Sequence, residues 1–371
     1  MERESFLKTY DVTLEVKGPV FIGSGNQMSS QEYIGMKNRI IVPDMKKMMV
    51  SLCRLELQDE YEKFVLQSYD KDLKSWLIKQ NITTETMEKW KKYELELGPL
   101  DLNKQSRPKI SEFIKDGYGL PFVPGTSLKG MLRTIILGYN IQKNPNLYAD
   151  FKVKNERSVY KYEKDYLNAK TEELENMSFC RLNRKKTEKY DAVNDVMSGI
   201  IVSDSEPLSL KDLVICNKWD YSIETGKCRS IGVYRECIKP GTKIQFTITI
   251  DRKIIPYSIE EIKEAIEAFA NTSYNNFIQY FGKCARPEKN TVWLGGGVGF
   301  LSKTVIYPMY SRAGVKIAQT IFKNTKVPKK HKHVKDTEWG VSPHCLKMTK
   351  YKNKEYYFGE CLINIEEATG G

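Results

Sequence analysis

The chain has 371 residues and a mass of 43.0 kDa, with 40% hydrophobic residues and a formal net charge of +12. That composition excludes a disordered chain and suits one elaborated domain or two to three modules. No apolar segment follows Met1-Glu2-Arg3-Glu4 and no apolar run reaches the roughly 18 residues of a membrane span, so a cytoplasmic protein without membrane contact is expected. The eight cysteines include no C-x-x-C pair, which suits reduced structural thiols better than disulfides or a zinc knuckle.

Tyr10, Val12, Leu14 and Val16 alternate with polar residues, the pattern of a half-buried strand. Gly18-Pro19 and Gly23-Ser24-Gly25 punctuate its end, and Tyr33 to Val42 reads as a hairpin-forming strand. Asp44 is placed to cap a helix carrying Met45, Met48, Met49, Leu52 and Leu55, and Leu73/Leu77 and Met87/Trp90 mark further helices up to Leu97. This helical insertion, 44–101, holds ten bases against twelve acids, a balance suited to protein rather than RNA. In Pro124-Gly125-Thr126-Ser127-Leu128-Lys129-Gly130, a turn meets N-cap residues, and Leu128, Leu132, Ile135 and Ile136 form the stripe of an amphipathic helix. Ser127, Lys129 and Arg133 then lie near a helix N-terminus, which attracts anions.

Residues 140–195 are rich in Lys, Glu and Asn and read as an irregular insertion. Strands are expected at Gly199–Val202, at Leu213–Ile215 and at Ile244–Ile250, and Ser258 with Glu261 forms a capping box for a helix running toward Phe281. A glycine cluster then leads into a last strand, Lys303–Tyr307. The order strand, helix, strand, strand, helix, strand predicts an α+β protein with a ferredoxin-like, RRM-type core over 1–310 and a basic C-terminal extension over 311–371. The aromatic signature of a common RRM is not apparent, so base stacking on the sheet is not assumed.

The glycine cluster, Gly295-Gly296-Gly297-Val298-Gly299-Phe300 with Lys303, can aim successive N–H groups into a nest that favours phosphate. It is not a P-loop, since Ser302 stands where the second glycine belongs, and Phe300 breaks the dinucleotide fingerprint. A glycine-rich hairpin or bulge is the bland alternative. From Lys283 to Lys354 there are sixteen Lys or Arg against three acids, an excess of thirteen positive charges around and after the loop. Polyanion binding follows, against the alternative of a merely solvated basic surface.

Phe21-Ile22-Gly23-Ser24-Gly25, the Pro124–Gly130 helix start with Arg133, Val202-Ser203-Asp204, Arg235-Glu236 before Pro240-Gly241-Thr242, and the glycine loop with Ser302-Lys303-Thr304 together resemble the RAMP proteins of CRISPR type III effector complexes. His331-Lys332-His333, Ser342-Pro343-His344 and Lys347 narrow the resemblance to Csm subunits of type III-A complexes. It covers about Tyr10 to Lys347. The resemblance implies a non-catalytic subunit that binds the 3′ side of the CRISPR RNA, caps the row of backbone subunits and is linked to 3′-end trimming by recruited cellular nucleases. Its implied partners are CRISPR RNA, other Csm RAMP backbone subunits, the small helical subunit and, indirectly, target RNA. No cofactor is implied. The RNA-binding candidates are Ser127, Lys129, Arg133, Arg235, Gly295, Gly296, Gly297, Gly299, Phe300 and Lys303.

Cutting subunits of the family use an aspartate after the first strand, whereas here no Asp occurs between Asp11 and Asp44 and Glu32 is the nearest acid, so self-catalysed cleavage is not expected. The competing enzyme reading is a RAMP endoribonuclease with a histidine near the first helix, but all three histidines lie beyond residue 330. A metal site from His331, His333, His344 and Cys345 has suitable ligand types without a standard zinc spacing, and none is predicted. A nucleotide-binding protein, resting on the near-P-loop, is the third reading.

Overall fold

The computed structural model describes residues 6–67, 72–98, 100, 108–158, 166–186, 188–324 and 333–368; His331 and segment 159–165 of the predicted insertion lie outside them. The chain begins with β1 (Leu7–Val16), β2 (Gly23–Met28), β3 (Ile34–Gly35) and β4 (Arg39–Pro43). Helices α1 (Met45–Arg54), α2 (Gln58–Gln67), α3 (Leu73–Lys79) and α4 (Thr84–Lys89) precede β5 (Lys91–Glu96) and β6 (Ile110–Phe113). Next come α5 (Gly125–Lys143), α6 (Ala149–Ser158), α7 (Tyr166–Phe179), β7 (Ile200–Val202), β8 (Leu213–Ser222), β9 (Lys227–Ile238) and β10 (Lys243–Asp251). The rest is α8 (Ile259–Asn276), β11 (Thr291–Trp293), α9 (Ile306–Tyr310), α10 (Gly314–Asn324), α11 (Asp336–Trp339), β12 (Cys345–Tyr351), β13 (Lys354–Tyr357) and β14 (Glu360–Glu367).

Local chemistry explains many of these boundaries. The Asp44 carboxylate accepts the N–H groups of Lys46 and Lys47 at the start of α1, and Ser258 and Glu261 close a capping box on α8. Tyr10, Val12, Leu14 and Val16 of β1 meet Ile244, Phe246, Ile248 and Ile250 of β10 in one buried layer. Leu128, Leu132, Ile135 and Ile136 of α5 and Ile262 and Ile266 of α8 belong to the same core. β1 and β10 sit in a five-stranded antiparallel sheet ordered β11-β14-β1-β10-β7. The second, mixed sheet runs β2-β6-β9-β8-β5-β4-β3, with β12 and β13 added beside β8. The first helices form a small core of their own around Met48, Leu52, Phe64, Trp76, Leu77 and Trp90.

Several expectations change. The described residues of 140–195 are largely helical: α5 runs on to Lys143, and α6 and α7 follow, anchored through Tyr148, Phe151, Leu174 and Phe179. Such widely spaced anchors among polar residues leave little periodic signal. Gly23–Met28 is an exposed edge strand rather than a turn, and Lys91–Glu96, expected to be helical, is β5, in which Tyr93 and Leu95 alternate inward. The predicted last strand Lys303–Tyr307 is instead a 3-10 turn followed by α9, because a short apolar run does not by itself distinguish a buried helix from a strand. The C-terminal region is no appendage either, since β14 lies between β1 and β11.

Candidate nucleic-acid interface

The glycine loop follows β11 and is clamped by two other segments. Gly296 N–H donates to the Phe21 carbonyl at 2.7 Å, and Leu294 N–H donates to the Gly359 carbonyl at 2.8 Å. Gly295, Gly297 and Gly299 have φ values of +89°, +109° and +96°. A Cβ would fall 2.4 Å from the Phe21 carbonyl oxygen at Gly295, 2.7 Å from Arg235 Nη1 at Gly297 and 2.8 Å from Lys347 Cγ at Gly299. The backbone conformation therefore favours glycine at all three positions, and at Gly295 the Phe21 carbonyl leaves no room for a Cβ.

Cations from four separate segments gather here. Arg235 on β9 lies over the Phe21 ring, 4.7 Å from its centroid, and its enclosed Nε and Nη1 atoms have no hydrogen-bond partner. Lys347 on β12 lies against Gly299 and pairs with Asp220 at 2.8 Å. Exposed Lys303 follows the loop. Lys218 on β8 feels the whole group: burial pushes its ammonium down to about 8, Lys347, Arg235 and Lys303 push the same way, and Asp220 opposes them. Burial likewise lowers Arg235. No carboxylate among the described residues forms an ion pair with Lys218, Arg235 or Lys303. This cluster of like charges, desolvated without full compensation, would be relieved by an anion.

The neighbour of Arg235 performs a different task because successive strand residues face opposite ways. Glu236 is fully buried and accepts from Tyr93 Oη at 2.8 Å, from Phe113 N–H at 2.9 Å and from Lys115. It ties β5, β6 and β9 together.

The structure thus brings Arg235, Gly295, Gly296, Gly297, Gly299 and Lys303 together, and adds Phe21, Lys218 and Lys347. Phe300 packs inward, with ring centroids 6.1 Å from Tyr307 and 5.6 Å from Phe322. Ser127, Lys129 and Arg133 do not join the loop. Asp204 accepts the Gly125 N–H at 2.8 Å, placing a carboxylate at the helix start, and neither Thr126 nor Ser127 caps it. Lys129 Nζ donates to the Ile200 carbonyl at 2.7 Å. Arg133 pairs with Glu175 at 2.8 Å and Asp195 at 2.7 Å and lies over Phe179. The helix start is tied to the end of β7, whereas the loop follows β11, and these strands form opposite edges of the sheet. The ten RNA-binding candidates therefore do not form one site. Lys218 carried no sequence signal beyond its charge.

A second polar cluster lies behind the loop. Fully buried Asp336 meets His333 Nδ1 at 3.0 Å, His344 Nδ1 at 2.7 Å and Ser342 Oγ at 2.6 Å. Of the metal ligands weighed from sequence, His333 and His344 are in this set, Asp336 joins them, Cys345 is not among them and His331 lies outside the described residues.

Comparison with known proteins identifies the class. The RAMP superfamily model matches residues 13–302, and the chain belongs to that superfamily. Within it, the chain is similar to the Csm5 proteins: it is 31% identical to "CRISPR system Cms protein Csm5" of Mycobacterium tuberculosis (strain CDC 1551 / Oshkosh), covering 98% of this chain and 99% of that one. The Streptococcus thermophilus Csm5 is 30% identical over 87% of this chain and 89% of its own. The fold is shared with a chain in a cryo-EM structure of a Csm–crRNA–target RNA ternary complex, with a TM-score of 0.64, 20% identity and coverage of 96% and 100%. It is shared also with crystalline T. onnurineus Csm5, with a TM-score of 0.59, 19% identity and coverage of 94% and 99%. No helix among the described residues is long and apolar enough to cross a membrane.

Proposed function

We propose that this chain is a non-catalytic, CRISPR RNA-binding subunit of a type III-A Csm complex. In this reading it caps the backbone filament at the 3′ side of the guide and supports 3′-end maturation through recruited nucleases. The observation that carries RNA binding is the convergence of Lys218, Arg235, Lys303 and Lys347 on the loop at Gly295–Gly299, with Arg235 nitrogens enclosed and unbonded. Cations of this kind hold phosphates without reading bases. The non-catalytic reading is supported by His333 and His344, which are engaged with Asp336, and by Glu32, which accepts the Ser29 N–H at 2.7 Å. We also assign the ferredoxin-like core to β1, α5, β7, β10, α8 and β14, with the C-terminal strand taking the fourth-strand place beside β1.

The test is co-purification followed by a salt titration. The chain expressed in its own host should bring down a guide RNA and other Csm subunits, and the purified protein should bind single-stranded RNA with little base preference and an affinity that falls steeply with salt. An affinity indifferent to salt would remove the electrostatic basis, and metal-dependent cleavage lost on Glu32→Ala would make the chain an enzyme.

A further inference from the structure

We propose that His333, Asp336 and His344 form a binding site for a divalent transition ion of the zinc class. One ligand atom of each lies within 4.8 Å of those of the other two, and all three come from a short stretch linking α10 to β12. The two nitrogen-to-carboxylate distances, 3.0 and 2.7 Å, need to open by only a few tenths of an ångström to reach the roughly 3.3–3.6 Å between neighbouring donors on a tetrahedral ion with bonds of about 2.0–2.2 Å. Bringing the widest gap, within 4.8 Å, to the roughly 3.3–3.6 Å between donors on a tetrahedral ion takes side-chain adjustments of about an ångström. Ser342 Oγ donates to the carboxylate at 2.6 Å, the kind of outer contact that orients a metal-bound carboxylate. Tyr307 Oη in turn donates to the Ser342 carbonyl at 2.6 Å, so the site is braced from α9 as well.

The site is separate from the basic cluster but mechanically joined to it. His333 stacks on Phe322 with ring centroids 4.4 Å apart, Phe322 packs against Phe300 of the glycine loop, and Lys347 against Gly299 lies three residues after His344. An ion held here fastens the connection between α10 and β12 behind the loop.

The test uses the full chain, stripped with chelator, titrated with Zn²⁺ alone and then with Co²⁺ as a spectroscopic stand-in. Elemental analysis after desalting should find about one Zn²⁺ per chain, Co²⁺ should develop visible d–d absorption, and Zn²⁺ should raise the melting temperature. His344→Asn and the double variant His333→Asn/His344→Asn should lower metal affinity by roughly tenfold or more with the far-UV spectrum unchanged. Wild-type protein that retains no Zn²⁺ and leaves Co²⁺ colourless would overturn the proposal and make the cluster a hydrogen-bonded brace. Retention of the ion by a folded double variant would overturn it equally. Should the variants fail to fold, stoichiometry and Co²⁺ absorption of the wild-type chain decide the matter. None of these readouts involves RNA, so the site stands or falls independently of the function proposed above.

Discussion

The glycine loop and the start of α5 look alike as sequence, each combining glycine, hydroxyl residues and cations suited to phosphate, yet the folded chain treats them oppositely. At α5 the anions are already present: Asp204 takes the Gly125 N–H, and Glu175 and Asp195 hold Arg133. At the loop Lys218, Arg235 and Lys303 lack ion-pair partners among the described residues, and burial, with the neighbouring cations adding to it, lowers the proton affinity of Lys218. A cation is available to a ligand only when the protein has not neutralised it, and neutralising groups distant in sequence decide that.

Breaking the loop should have the largest effect on binding. Gly297→Val places a branched side chain where φ is +109° and Arg235 Nη1 is 2.7 Å from the Cβ position. It should weaken RNA binding by more than any single charge removal, about a hundredfold, measured by fluorescence anisotropy on folded protein. A folded Gly297→Val protein with wild-type affinity would reduce the loop to a hairpin.

Arg133→Ala sharpens the contrast from the other side. It strands Glu175 and Asp195, each part-buried, and should cost about 1–3 kcal/mol in denaturant unfolding while leaving the affinity of the folded protein unchanged. Loss of RNA affinity without loss of stability would show that α5 faces the RNA after all.

Lys303→Ala should weaken binding uniformly across sequences and reduce the salt slope by about one phosphate contact, with stability unaffected because Lys303 is exposed.

The smallest effect is a pH dependence. With Lys218 at about 8 in the free protein and raised beside phosphate, binding takes up a proton. Affinity should be full below pH 8 and fall, by at most about tenfold per unit, as pH rises from there toward the bound value. Lys218→Arg should flatten that profile between pH 7.5 and about 9, since guanidinium stays charged. An unchanged slope would place Lys218 outside the binding surface.

Sequence by itself determined what depends on neighbours along the chain: the alternation of β1 and β10, the caps at Asp44 and Ser258, the glycine requirement of the loop and the family to which these motifs belong. Each is written in period, turn chemistry or backbone freedom within a few residues. Tertiary structure alone decided that β14 enters the sheet beside β1, that Glu236 faces inward while Arg235 faces the loop, and that Arg133 is spent while Lys218 is not. Those outcomes are set by strand pairing across long stretches of chain, by desolvation and by charges brought close from distant segments, and none of these has a local signature.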